Sequence, residues 1–162
     1  MLFRSDLLQE GLFREELVLV TPRSIRGIED LSSINDLKTI VFRVGCSYRA
    51  KLENLLNKVG ILVAQPLEFG SIEAILGCVA AGVGITLLPK GVVVQAWRDG
   101  QVAVHELEPE FAEVETVFVR RKDAYVSSAL SAFLQIVRPG TELHVAAAEW
   151  PYSSNVVPMP QS

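Results

Sequence analysis

Two short turns hold the residues whose types and spacing could do chemistry. Gly45-Cys46-Ser47-Tyr48-Arg49 offers a hydroxyl, a thiol and a guanidinium beside the free amides of a helix start. That set suits a small anion, above all a carboxylate. Phe69-Gly70-Ser71-Ile72 opens a second helix whose amides could share the same ligand. Each turn also has a plainer reading, in which Ser47 and Ser71 only cap helices, Tyr48 packs, Cys46 fills space and Arg49 is solvated. No other pattern of catalytic residues stands out. Nucleophile elbow, phosphate loop and metal-ligand spacing are all missing. His105 and His144 pair with no motif, and no metal or cofactor is expected. A helix start would lower the Cys46 thiol pKa, yet Cys78, in the middle of an apolar helix, is no obvious resolving partner. Gly82-Val83-Gly84 follows a helix and precedes a strand, the reverse of a dinucleotide fingerprint. The sequence therefore points to binding rather than catalysis.

The two turns need a frame. Thr39 to Val44 is rich in β-branched and aromatic residues and reads as a strand. A helix follows from about Tyr48 to Val59, with Ser47 as its N-cap, Tyr48, Leu52, Leu55, Leu56 and Val59 on one face, and Gly60 closing it. Ile61 to Phe69 is a third strand whose Pro66 removes a ladder donor and so favours a sheet edge. Ser71 caps the next helix, which buries Ile72, Ile75, Leu76 and Val79 and ends at Gly82; Ile85 to Leu88 is a buried strand stopped by Pro89. This β-α-β-α-β run predicts an α/β fold with right-handed crossovers and a sheet order of 2-1-3. Ligands bind such sheets beyond the carboxyl ends of the strands, where the order reverses, and both turns fall there.

Outside this run, Glu16 to Val20 is a further buried strand, preceded by a short mixed stretch and followed by a surface connection from Arg23 to Ser33. Gly91 to Arg98 predicts a short helix, Gln101 to Leu107 a strand, Glu108 to Glu113 an acidic loop and Glu115 to Arg121 another strand. Ala124 to Val137 predicts an amphipathic helix with Tyr125, Leu130, Phe133, Leu134 and Val137 inward. The tail from Thr141 has little periodicity and is expected to be loose.

At 162 residues, 49% hydrophobic and 21% charged, the chain is long enough to bury one good core or two small lobes. A net charge of −4 argues against this segment gripping nucleic acid by itself. No signal peptide is visible, and the longest uncharged run, Ala74 to Pro89, falls short of the roughly 20 residues of a membrane span. Two cysteines in no ligand pattern are at home in a reducing cytoplasm.

Taken together, several segments resemble the effector-binding domain of LysR-type transcriptional regulators. They are Phe42 to Arg49 followed by Leu52-Glu53, then Glu68 to Ile75, then Val79 to Ile85 with Leu87-Leu88-Pro89. Glu15 to Pro22 is similar to the strand that crosses between that domain's two lobes, and Glu115 to Arg121 to the one that returns. The resemblance implies a periplasmic-binding-protein-like (type 2) fold, with an effector cleft between two α/β lobes. It implies residues 37–113 as a complete second lobe, 1–36 and 114–139 as parts of the first, and 140–162 as a flexible tail. The loop from Gly45 to Arg49 would be the second lobe's share of the cleft, with Ser47 a polar effector contact. Members with a peroxide-sensing cysteine carry it in this turn, but Cys46 is offset from that position and the partner cysteine is missing.

The resemblance further implies a homo-oligomer that binds a small effector. DNA contact would belong to a winged helix-turn-helix absent from this sequence, which reads as a truncated regulator. Apolar faces left uncovered on Leu17-Val18-Leu19 and on the final helix are expected to drive self-association. The alternatives are a stand-alone solute-binding protein of the same fold and, less favoured, an enzyme on this architecture.

Overall fold

Leu17, Val18, Leu19 and Val20 alternate no polar residue among them, so both faces of that strand must be covered. In the computed structural model, which describes residues 6–34, 36–43, 47–62 and 66–137, they lie at the centre of a sheet. Strand β1 (Leu7–Thr21) pairs antiparallel with β4 (Thr86–Pro89) on one side and with β5 (Ala103–His105) on the other. A 3-10 turn (Ile28–Ser33) follows β1, and β2 (Ile40–Phe42) leads into α1 (Ser47–Lys58). Then come β3 (Leu67–Phe69), α2 (Ile72–Ala80), β4, α3 (Lys90–Arg98) and β5. The one-turn helix α4 (Pro109–Ala112), β6 (Glu113–Arg121) and α5 (Ser128–Val137) close the described chain.

Two compact units result. One is Glu16–Ala112; the other joins the start of β1, up to Glu15, to β6 and α5. Within the larger unit β2 runs parallel to β3 and meets β4 through a parallel bridge between Thr39 and Ile85. The predicted order 2-1-3 is therefore present as β3-β2-β4, with the strand after Pro66 at the edge. What the sequence did not reveal is that the layer continues, antiparallel, through β1 to β5.

Period-two alternation divides the layer's two faces. Val18, Val20, Ile40, Leu88 and Val104 pack with Ile75 and Val79 of α2 and with Val93, Ala96 and Trp97 of α3. Leu17, Leu19, Leu87 and His105 turn to the other face, where α1 buries Leu52, Leu55 and Leu56.

Glycines set two of the joints. Gly82 has φ +79, and its amide and that of Val83 reach back 2.9 and 3.0 Å to the carbonyls of Val79 and Cys78, closing α2 in a paired bond pattern. Gly84 serves a different end. A Cβ there would be driven into the Lys38 carbonyl oxygen, the acceptor of the 2.9 Å bond from the Ile85 amide. Only a residue without a side chain lets β4 dock beside β2.

Several expectations need correction. The strand at Glu16 begins much earlier, at Leu7, because the preceding residues pair with β6. Leu17, Val18 and Leu19 are fully buried between β4 and β5 and expose no apolar face. Ile25 and Leu31 are also buried, so the connection after β1 packs onto the core. The acidic segment contains the helical turn α4, and β6 starts at Glu113. The last helix starts at Ser128 rather than Ala124; Tyr125 is 88% exposed, Phe133 is half-exposed, and only Leu134 is buried. Val59, at the end of α1, is likewise exposed, since Gly60 turns the chain away there. The tail lies outside the described residues.

Candidate functional site

Parallel strands place their carboxyl ends at one rim, and the helices that follow begin there. β2 and β3 are parallel, so the starts of α1 and α2 share a rim. β4 runs in the same sense, which brings Pro89 to that rim as well. Ser47 is the first residue of α1 and is exposed; Tyr48 and Arg49 are half-buried. Gly70 and Ser71 are exposed, and Phe69 is half-buried. Gly45 and Cys46 lie outside the described residues.

Local chemistry already occupies part of this set. Ser71 Oγ accepts from the Ala74 amide at 3.2 Å, a side-chain N-cap, with Glu73 in the first turn complementing the dipole. Arg49 donates from Nε to Glu53 at 2.9 Å and from a terminal nitrogen to Glu68 at 3.1 Å. These contacts, the hydrogen bond to Glu53 foremost, raise the guanidinium pKa above its ordinary value. Between α1 and the sheet a recess lined by Phe42, Tyr48, Arg49 and Thr86 holds only about 10 Å³, room for about one water. The structure thus brings together Ser47, Tyr48, Arg49, Phe69, Gly70 and Ser71 along one rim.

A roomier cavity of the larger unit lies elsewhere. It measures about 730 Å³ and is walled by the end of α1, the 3-10 turn and the segment from β5 to α4, with Lys58, His105 and Glu108 among its residues. Nothing in local sequence singled these residues out, because they come from three distant segments. Among the described residues no group of three His, Cys, Asp or Glu side chains could hold a metal ion. No helix among them is long and apolar enough to cross a membrane.

Residues 3–142 match the LysR substrate binding domain family. The chain belongs to this family. Curated relatives of the LysR domain include the HTH-type transcriptional regulator GltR of Bacillus subtilis (strain 168), 44% identical over 133 residues, covering 82% of this chain and 45% of that protein. HTH-type transcriptional regulator SoxR of Arthrobacter sp. (strain TE1826) is 36% identical over 137 residues, covering 85% and 46%. This LysR chain therefore spans about half the length of the curated relatives it matches.

Solved structures show the same fold at lower identity. The regulatory domain of Synechocystis CcmR in complex with 2-PG aligns with a TM-score of 0.66 at 22% identity, covering 86% of this chain and 69% of that one. The effector binding domain of QuiR in complex with shikimate aligns at 0.63 and 19%, covering 85% and 66%. The LysR effector-domain fold, periplasmic-binding-protein-like, is thus the fold of this chain.

Proposed function

We propose that this chain is the effector-sensing module of a LysR-type regulator and binds a small anionic metabolite, a carboxylate, at the rim where α1 and α2 begin. One observation supports this most: β2 and β3 pair in parallel, which leaves the starts of α1 and α2 at one rim. Exposed helix-start amides and the Ser47 hydroxyl would hold the anion. Gly45, Cys46, Tyr48, Arg49, Phe69, Gly70 and Ser71 would frame it. In this reading residues 37–113 form the second effector lobe, while 1–36 and 114–139 belong to the first. The protein works in the cytoplasm as a homo-oligomer and is a binding module rather than an enzyme. DNA contact falls to the helix-turn-helix part for which the relatives are named.

The test is a thermal-shift titration with two probes, shikimate and 2-PG, on the chain and on Ser47→Ala. A ligand that binds only the folded state stabilises it by about 2.7 kcal/mol at a hundredfold excess over Kd. Stabilisation that shrinks in Ser47→Ala supports the reading. A shift of equal size in both proteins would remove Ser47 from the site.

A further inference from the structure

We infer that the chain's two passages between its compact units are latched by lysines of the larger unit, and that the second latch releases before the first. The chain passes once at Glu15–Glu16 and again at Ala112–Glu113. Every contact that makes a latch lies within the larger unit.

The second passage follows α4, a single turn with little apolar grip. Pro109 and Glu110 are exposed, Phe111 is half-buried, and Ala112 is the one buried residue of the four. The Phe111 and Ala112 amides donate to the Glu108 carbonyl at 2.9 and 3.0 Å. The turn is fastened from outside, by α1. Lys51, Leu55 and Lys58 recur at helical spacing and so share one face of that helix. Lys51 Nζ donates to the Glu110 and Phe111 carbonyls at 3.1 and 3.4 Å, where the end of a helix leaves acceptors unmet. Lys58 Nζ reaches Glu108 at 2.7 Å and Glu110 at 2.6 Å, and stands 5.0 Å from the centre of the Phe111 ring.

Lys90 latches the first passage. It is the first residue of α3, a position where the helix dipole disfavours a cation. Carboxylates from two strands compensate: Glu16 at 3.2 Å and Glu106 at 3.1 Å. Glu16 is the first residue of the larger unit, and Glu106 directly follows β5. One ammonium thus joins β1, just past the first passage, to the segment that leads to the second.

Shielding sets the order of release. The Lys90 and Glu106 side chains are 20% and 22% exposed, against 51% for Lys58 and 70% for Glu108. Salt screens exposed pairs far more than shielded ones. Rising ionic strength therefore frees α4 while Lys90 still holds β1.

The experiment is amide hydrogen exchange on the full chain, read by NMR at Phe111, Ala112 and Leu17. Between about 50 mM and about 500 mM sodium chloride, exchange at Phe111 and Ala112 should rise about fivefold while Leu17 hardly changes. Lys51→Met combined with Lys58→Met should give the faster exchange already at low salt and remove the salt response. Lys58→Arg should keep the parent behaviour, and Lys90→Met should speed exchange at Leu17. Salt-insensitive exchange at Phe111 and Ala112 in the parent, or a salt response that survives the double lysine change, would overturn the proposal. So would a Leu17 amide that opens at lower salt than Ala112 or ignores Lys90→Met.

Discussion

A terminal nitrogen of Arg49 sits 3.1 Å from the Glu68 carboxylate, tying the first turn of α1 to β3, while its Nε holds Glu53 at 2.9 Å. The cation nearest the proposed anion site is therefore already neutralised twice over. An incoming carboxylate has to compete with Glu68 for it. Glu68→Gln is expected to raise affinity for a binding carboxylate several-fold, and Arg49→Ala to lower it, by calorimetry with whichever of shikimate or 2-PG binds. Both partners are more than a third exposed, so stability should hardly change. Weaker binding in Glu68→Gln would mean that the ion pair shapes the site instead of blocking it.

Gly84 and the Lys38 carbonyl make a second, purely steric prediction. Because the obstacle is backbone, Gly84→Ala must push β4 away from β2. A cost of about 1–3 kcal/mol is expected, within the range for overpacked sites. Urea unfolding should show a lower midpoint with little change in slope. An unchanged midpoint would show that the two strands separate freely.

Burial lowers the His105 pKa from the ordinary 6.5, against opposing pulls from Glu29 and Asp30. Below 6.5 the unfolded chain gains a proton that the folded chain refuses. The stability tied to this group is thus complete above that pH and is lost as pH falls toward the depressed folded value. Melting temperature should drop from about pH 7.5 to about pH 5, and His105→Phe should flatten part of that slope. Identical slopes for both proteins would assign the acid sensitivity to other groups.

The last helix leaves Phe133 and Ile136 half in solvent, at 50% and 51% exposure. If the protein associates through this face, Phe133→Ser with Ile136→Ser should shift sedimentation profiles toward the monomer. A parent chain that is already monomeric at high concentration would contradict the proposed homo-oligomer.

Much of this was legible in the residues themselves. Ser71 acts through its own hydroxyl, and Gly60, Gly82 and Pro89 through their backbone conformation, so the helices and strands they bound could be read locally. The apolar stripe of α2 and the β-branched run at Ile40 likewise declare their elements within a few residues. The unbroken apolar run from Leu17 to Val20 marks a buried strand, but its neighbours could not be judged this way, since β4 and β5 arrive some 70 and 85 residues later. Tyr125 satisfied the helical period but fell before the helix began, because periodicity states which residues share a face and not where the first turn forms. The rim turns were visible because each is a contiguous motif. The cavity around His105 was not, because its wall is assembled from the 3-10 turn, the end of α1 and the segment after β5. Local backbone preference and hydrophobic period settled the elements and their order. Only long-range packing decided which charges stand opposed and where empty space remains.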